Sequence, residues 1–223
     1  MAEAEDLKSS QCGFDPHSGH TTNKRMLPYM LKPAETSVAI NPLIANRWSP
    51  RSFDANAEIS DGDLVAILEA GRWSPSTGNQ QPWRFIVAKR GDAIFENLTK
   101  HLAGFNATWV PSASALILVI AVTTNADGSV RPYALYDAGL ASAFMTMEAN
   151  HRGIAVHPIA GFNRDEVKTE FSLPDNFSQT AILVLGKQAP ADYLDNEVLQ
   201  KREEAPRVRL PLSEIVIAGL PAA

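Results

Sequence analysis

The sequence predicts a domain of mixed helices and strands, in the α/β or α+β class. Two observations carry that expectation. Residues 115–122 and 180–186 are strand-length runs with no polar face, the pattern of strands covered on both sides. Interleaved with them are segments of helical period, clearest at residues 60–73, where Leu64, Ile67, Leu68 and Gly71 recur at i, i+3, i+4 and i+7.

Residues 1–38 carry little periodicity and are punctuated by Gly13, Pro16, Gly19, Pro28 and Pro33. They are read as an extension, flexible or lying across the surface, ahead of a domain spanning 39–223. In the helix at 60–73, Ser60 is the expected N-cap, with Asp63 three residues on. Residues 83–88 make a strand with Pro82 at its entry. Ile94, Phe95, Leu98 and Leu102 mark the next helix, and residues 115–122 a central strand. Residues 133–152 form a long helix, apolar nearly all round through Leu135, Ala138, Leu140, Ala141, Phe144, Met145 and Met147. Such a helix is expected to be buried by more than one neighbour. Gly153 ends it as a C′ residue. A short strand follows at 154–159, then a helix capped by Asn163 with Glu166 and running toward Phe171, then the strand at 180–186. Periodicity fails between Pro190 and Pro211, and the chain closes on Ile215, Val216 and Ile217. Residues 187–212 are too long and too polar for a connection inside a compact domain, which a segment wrapping a partner subunit explains.

The composition narrows the function classes. Of 223 residues, 45% are hydrophobic and 20% charged, which suits a globular domain with a real core. A formal net charge of −5 argues against nucleic acid or an anionic membrane as partner, so an anionic ligand needs a local cluster of Arg or Lys. The single cysteine, Cys12, builds neither an intrachain disulfide nor a Cys-rich zinc site, and a cytoplasmic setting is expected. The acidic start lacks the apolar region of a secretory signal, and the apolar stretch at 113–122 is too short to span a bilayer. His17 and His20 near Cys12 have no metal-ligand spacing of the usual kind, and no metal site is expected. There is no Gly-x-Gly-x-x-Gly after a strand and no Walker loop, so a separate Rossmann domain is not expected.

Three constellations could carry chemistry. Arg47, Trp48, Ser49 and Arg51 place two guanidiniums around a hydroxyl, and Arg207 with Arg209 forms a second basic pair at the far end of the chain. A guanidinium fork matches a phosphate, but spacing alone favours two unrelated surface clusters. The second, residues 74–83, is a loop of hydroxyls, amides and Gly78, whose exposed backbone could approach a polar ligand or simply turn the chain. The third, residues 157–163, holds Pro158, Ile159, Ala160 and Gly161. Gly161 permits close backbone approach to a flat ligand, while Asn163 caps the next helix.

In order, these pieces resemble the nitroreductase family. The resemblance rests on Arg47-x-Ser49-x-Arg51-x-Phe53 and on Ser74-Pro75-Ser76-x-x-Asn79-x-Gln81-Pro82-Trp83. Asp137-Ala138-Gly139-Leu140, Gly153, Pro158-Ile159-Ala160-Gly161-Phe162 and Arg207-x-Arg209-x-Pro211 complete it. It covers roughly residues 41–217 and implies an α+β fold: a mostly antiparallel sheet flanked by helices, with the C-terminal strand exchanged in a homodimer. It implies FMN, with Arg47, Ser49, Arg207 and Arg209 at the phosphate, Trp48 beside them, and Arg51 at the pyrimidine edge. Pro75, Ser76, Thr77 and Asn79 would reach the flavin from the other subunit. Asn106 would place its amide on the pyrimidine ring, and the backbone of Pro158, Ile159, Ala160 and Gly161 would border N5. No protein side chain is assigned as catalytic. The implied activity is reduction of nitroaromatic, quinone or related small electrophilic acceptors by NADH or NADPH, in a ping-pong sequence. Dehalogenation, flavin fragmentation, enal or semialdehyde reduction, and flavin binding without turnover are the alternatives. Ala160 stands where some members carry Glu, and Trp109 near where some carry Lys, and both are expected to alter the pocket.

Overall fold

A computed structural model of the chain describes residues 31–219. Four strands, β1 (Trp83–Lys89), β2 (Ala115–Val122), β3 (Ala155–Ile159) and β4 (Phe177–Gly186), form one sheet in the order β1-β2-β4-β3. Every pairing is antiparallel, and the register shifts once, between Val119 and Ile120. This is the α+β arrangement that the resemblance implied. β2 is an inner strand buried along its whole length, as its unbroken apolar run requires.

The period-2 alternation of β2 divides the core in two. Leu116, Leu118 and Ile120 pack with Phe95 and Leu98 of α3 (Ala93–Lys100), Trp109 of α4 (Asn106–Trp109), Val167 of α6 (Arg164–Glu170) and Leu199 of α7 (Glu197–Glu204). Ile117 and Val119 pack on the other face with Leu64 and Ile67 of α2 (Asp61–Arg72) and Met145 of α5 (Ala134–His151). Each fully buried Leu or Ile contributes on the order of 1.5–3 kcal/mol, so both faces of the sheet stabilise the fold. Gly71 lets α2 and α5 approach: a Cβ there would lie 2.8 Å from Met145 Cγ.

Local signals agree with the predicted elements at most boundaries. Ser60 caps α2, its Oγ accepting from the Asp63 amide at 3.1 Å. Asn163 caps α6 by accepting from the Glu166 amide. Gly153 follows α5 with φ +68, and the Ile154 amide donates back to the Ala149 carbonyl at 2.8 Å.

Four expectations change. Leu102 lies beyond α3, which ends at Lys100, and bridges Phe162 instead. β4 begins at Phe177, three residues before the apolar run, because the polar residues Ser178 and Gln179 complete pairing with β2. Residues 187–212 are not an aperiodic arm: they contain α7, capped by Asn196, and Leu194 and Leu199 bury themselves in the chain's own core. Residues around Ile215 form the short helix α8 (Leu212–Ile215), and no fifth strand is present among the described residues. The long helix α5 also keeps an uncovered face in one chain. Leu135, Tyr136 and Phe144 are exposed while Ala138, Ala141 and Met145 are buried.

Of the 1–38 extension, residues 31–38 are described. Lys32 is buried, and the Ala34 amide donates to the Ala45 carbonyl at 2.7 Å. Cys12, His17 and His20 lie outside the described residues.

Candidate functional site

The short helix α1 (Pro42–Asn46), capped by Asn41 and started by Pro42, delivers the chain into the extended run 47–53. That run lies beside the edge strand β3. His157 Nδ1 donates to the Pro50 carbonyl at 2.9 Å, since a carbonyl can only accept. Gly186 admits the Phe53 ring, which a Cβ would meet at 2.6 Å. With the run held on both sides, Arg47 Nη1 donates to Ser49 Oγ at 3.3 Å.

Arg207 arrives from the other end of the chain and donates from Nη1 to the carbonyls of Lys32 and Ala45, each at 2.7 Å. Arg47 is held below the usual arginine range by burial first, then by the charges of Arg207 and Arg209. Three guanidiniums and a hydroxyl therefore share one patch of an acidic protein. The two basic pairs converge, against what spacing alone favoured. A dianionic phosphate fits this donor set because it relieves a repulsion that the fold itself creates.

Glu203 was missed in the sequence and organises this patch. Its buried carboxylate accepts the Arg51 amide at 2.9 and 3.0 Å and the Ser52 amide at 3.1 Å. Arg51 Nη1 stands 3.9 Å from Oε2. Burial raises the Glu203 pKa, while the two amides, Arg51 and Lys32 oppose the rise. Lys32 Nζ donates to the carbonyls of Glu203 and Ala205 and sits 4.4 Å from the centre of the Trp48 ring. Asn196 followed by the helix-favouring run Glu197–Glu204 was the available signal.

The Ser74–Trp83 loop is tied down by hydrogen bonds of its own and to α5. Gly78, Asn79 and Gln81 all have positive φ, an arrangement only Gly adopts without cost. Ser76 Oγ accepts from the Gln81 amide at 3.0 Å. The Thr77 amide donates to Asp137, a buried carboxylate in the first turn of α5, at 3.1 Å. Pro75, Thr77 and Asn79 are left exposed. The single chain does not bring this loop to the arginines. Its anchor is Asp137, whereas Asn46, Trp48 and Pro50 share a cleft with Asn150. At 1.5 Å per residue, those two positions of α5 are about 20 Å apart.

At the end of β3, Ile159 is buried, while Pro158 and Ala160 are exposed. The Ala160 carbonyl accepts from Arg164 Nη1 at 3.3 Å. Gly161 is not in the left-handed region, so φ does not explain it; a close approach does. Asn106 Nδ2 donates to the Gly161 carbonyl at 3.1 Å and would lie 2.6 Å from a Cβ on that residue. Trp109 does not line an open pocket. It is 2% exposed, stacked on Phe53 with centroids 6.1 Å apart and tilted on His157 at 4.8 Å. Burial pushes His157 down to about 4; the hydrogen bond to Pro50 opposes this, and Arg51 and Arg47 push the same way as burial.

Among the described residues no group of three or more His, Cys, Asp or Glu could hold a metal ion, and no helix is long and apolar enough to cross a membrane. The nitroreductase family model matches residues 44–187, which include Arg47, the Ser74–Trp83 loop, Asn106 and Gly161. The chain belongs to the nitroreductase family. Relatives in the nitroreductase family include a Bacillus subtilis protein that its name proposes to be an NAD(P)H nitroreductase. It is 28% identical over 188 residues, 68% of this chain and 89% of its own. An oxygen-insensitive NADPH nitroreductase of Helicobacter pylori is 39% identical over 80 residues, 34% of this chain and 36% of its own. Among solved structures, an oxidoreductase described as containing FMN superposes with a TM-score of 0.78 at 29% identity, covering 83% of this chain and 94% of that one.

Proposed function

We propose that this nitroreductase-family chain binds FMN and acts as an FMN-dependent NAD(P)H oxidoreductase. The observation that carries the reading is the approach of Arg207 and Arg209, from the far end of the chain, to Arg47 and its partner Ser49. Relatives named for NAD(P)H or NADPH nitroreductase activity and a neighbour described as containing FMN support it. Bound there, FMN would supply the electron chemistry, hydride from reduced nicotinamide in one half-reaction and electrons to an acceptor in the other. The acceptors are nitroaromatics, quinones or related small electrophiles, and the kinetics are ping-pong.

The residues have separate tasks. Arg47, Ser49, Arg207 and Arg209 hold the phosphate. Arg51 would face the pyrimidine edge, where its charge would favour the reduced ring, and Asn106 would stand near the same edge. The backbone of Pro158, Ile159, Ala160 and Gly161 borders the reactive edge of the ring. Trp48 would stand beside the phosphate end, with Lys32 over its ring.

Pro75, Ser76, Thr77 and Asn79 serve the site of a second copy. Their anchor sits about 20 Å along α5 from the arginine end. The homodimer also covers apolar surface left exposed in one chain: Leu135, Tyr136 and Phe144 on α5, and Val208, Leu210 and Ile217 near the C-terminus. The C-terminal stretch then pairs with the partner rather than with its own sheet.

The test is the visible spectrum of the purified protein, followed anaerobically as NADH or NADPH is added. One flavin per chain, bleached by a nicotinamide and restored by a nitroaromatic or quinone, is expected. A protein that holds FMN without reduction by either nicotinamide would be a binding module instead.

A further inference from the structure

The Glu203 carboxylate does two things that can be separated. Oε1 accepts the amides of Arg51 and Ser52 at 2.9 and 3.1 Å, which fixes the backbone of the arginine run. Oε2 accepts the Arg51 amide at 3.0 Å and faces the Arg51 guanidinium at 3.9 Å. The carboxylate side chain is 3% exposed and that of Arg51 28%, so solvent screens this pair only in part. Lys32 directs its ammonium to the backbone carbonyls at the end of α7 and to the Trp48 ring, so its charge acts on the Glu203 carboxylate without a hydrogen bond to it, while the amides of Arg51 and Ser52 make the direct contacts. Both oxygens serve that scaffold, and Oε2 also brings the carboxylate's charge to 3.9 Å from the Arg51 guanidinium, a contact with an electrostatic consequence beyond holding the backbone.

We propose that Glu203 is a positioning residue that sets how much of the Arg51 positive charge acts on the flavin ring, and so tunes the reduction potential of the bound cofactor. The inference rests on the reading that places Arg51 at the pyrimidine edge. Reduction adds negative charge to that edge, a nearby cation favours it, and a carboxylate paired with the cation weakens the effect. Glu203 therefore holds the potential below the value that Arg51 alone would give. The residue belongs to α7, so the same helix that leads into Arg207 and Arg209 also adjusts the other end of the site.

Glu203→Gln keeps an oxygen for the two amides and removes the charge. In the FMN-loaded protein it should shift the reduced-to-oxidised ratio at a fixed potential about tenfold toward reduced, roughly 30 mV for a two-electron couple. Glu203→Asp withdraws the carboxylate by one methylene and should give a smaller shift of the same sign, which keeps the test open should the Gln variant fail to fold. Arg51→Gln should shift the ratio toward oxidised, and Glu203→Gln should move it less in that background than in the parent, the difference being the part that acts through Arg51. An Arg51→Gln shift with no response to either Glu203 variant overturns the inference and leaves the Arg51 placement standing. Loaded protein in which neither position moves the potential overturns the placement and the inference with it. Failure of the parent chain to bind FMN at all would instead sink the proposed function.

Discussion

Asn106 and Gly161 occupy each other's space: the Asn106 amide donates to the Gly161 carbonyl at 3.1 Å and would stand 2.6 Å from any Cβ placed on Gly161. The Ala103 amide donates to the same carbonyl at 3.0 Å, so the α3–α4 connection is fastened to the turn after β3. Gly161→Val must displace the amide or the turn, at a cost of about 1–3 kcal/mol for overpacking. It should slow flavin reduction by nicotinamide far more than it weakens FMN binding, because the phosphate anchors lie elsewhere. Combining it with Asn106→Ala should recover part of the lost stability. Anaerobic stopped-flow beside an FMN titration reads both quantities. A parent-like reduction rate in Gly161→Val would place the hydride path on another loop.

Arg47→Ala with Arg209→Ala should release FMN. A lost charge-assisted contact to a partly buried phosphate costs roughly 1.5–3 kcal/mol each, so the dissociation constant should rise by a factor of about 10²–10⁴. Fluorescence titration of the apoprotein measures it, and tight retention in the double variant would refute the phosphate assignment.

Truncation after Gly186 would remove Leu194, Leu199 and Glu203 from the chain's own core, so loss of fold would mask any loss of assembly. Ending the chain after Ala205 keeps α7 and removes residues 206–223, among them Arg207, Arg209, the short helix α8 and the exposed apolar residues Val208, Leu210 and Ile217. That variant should remain folded by circular dichroism yet sediment as a monomer without flavin. A flavin-loaded dimer of the shortened chain would contradict both the arginine assignment and the role of this segment at the interface.

His157 makes stability fall in acid. Its folded pKa is depressed from 6.5 to about 4, so in this window the unfolded chain takes up a proton that the folded chain refuses. Its contribution is full above pH 6.5 and is lost as pH falls toward about 4, a change of up to about 3 kcal/mol at 1.36 per pH unit. His157→Asn retains an N–H for the Pro50 carbonyl but cannot titrate. Urea unfolding at both ends of the window should show a smaller acid loss in the variant, and equal losses would mean the imidazole is not held neutral.

Signals that act within a few residues were legible in the sequence. Ser60 and Asn163 cap their helices, Gly153 ends α5, and the apolar runs became β2 and β4, because each depends on neighbours in the chain. Where tertiary contacts compete, the reading failed. Leu102 kept helical spacing but left α3 to bridge Phe162, and Trp109 matched a pocket position yet was drawn into the core between Phe53 and His157.

The sequence by itself carried the alternation of most helices and strands and the absence of a Rossmann fingerprint, and only its resemblance to the nitroreductase family singled out Arg47, Ser49, Arg207 and Arg209 as candidates for a phosphate. Only the tertiary structure decided that the two arginine pairs meet, that Glu203 ties residues 51 and 52 to α7, and that Gly161 is small because Asn106 stands over it. It also decided that the Ser76–Asn79 loop stays at the far end of α5, beside Asp137. Period and capping are properties of a few consecutive residues. The approach of residues some 150 positions apart is set by how two faces of one sheet are packed, and no local pattern encodes that distance.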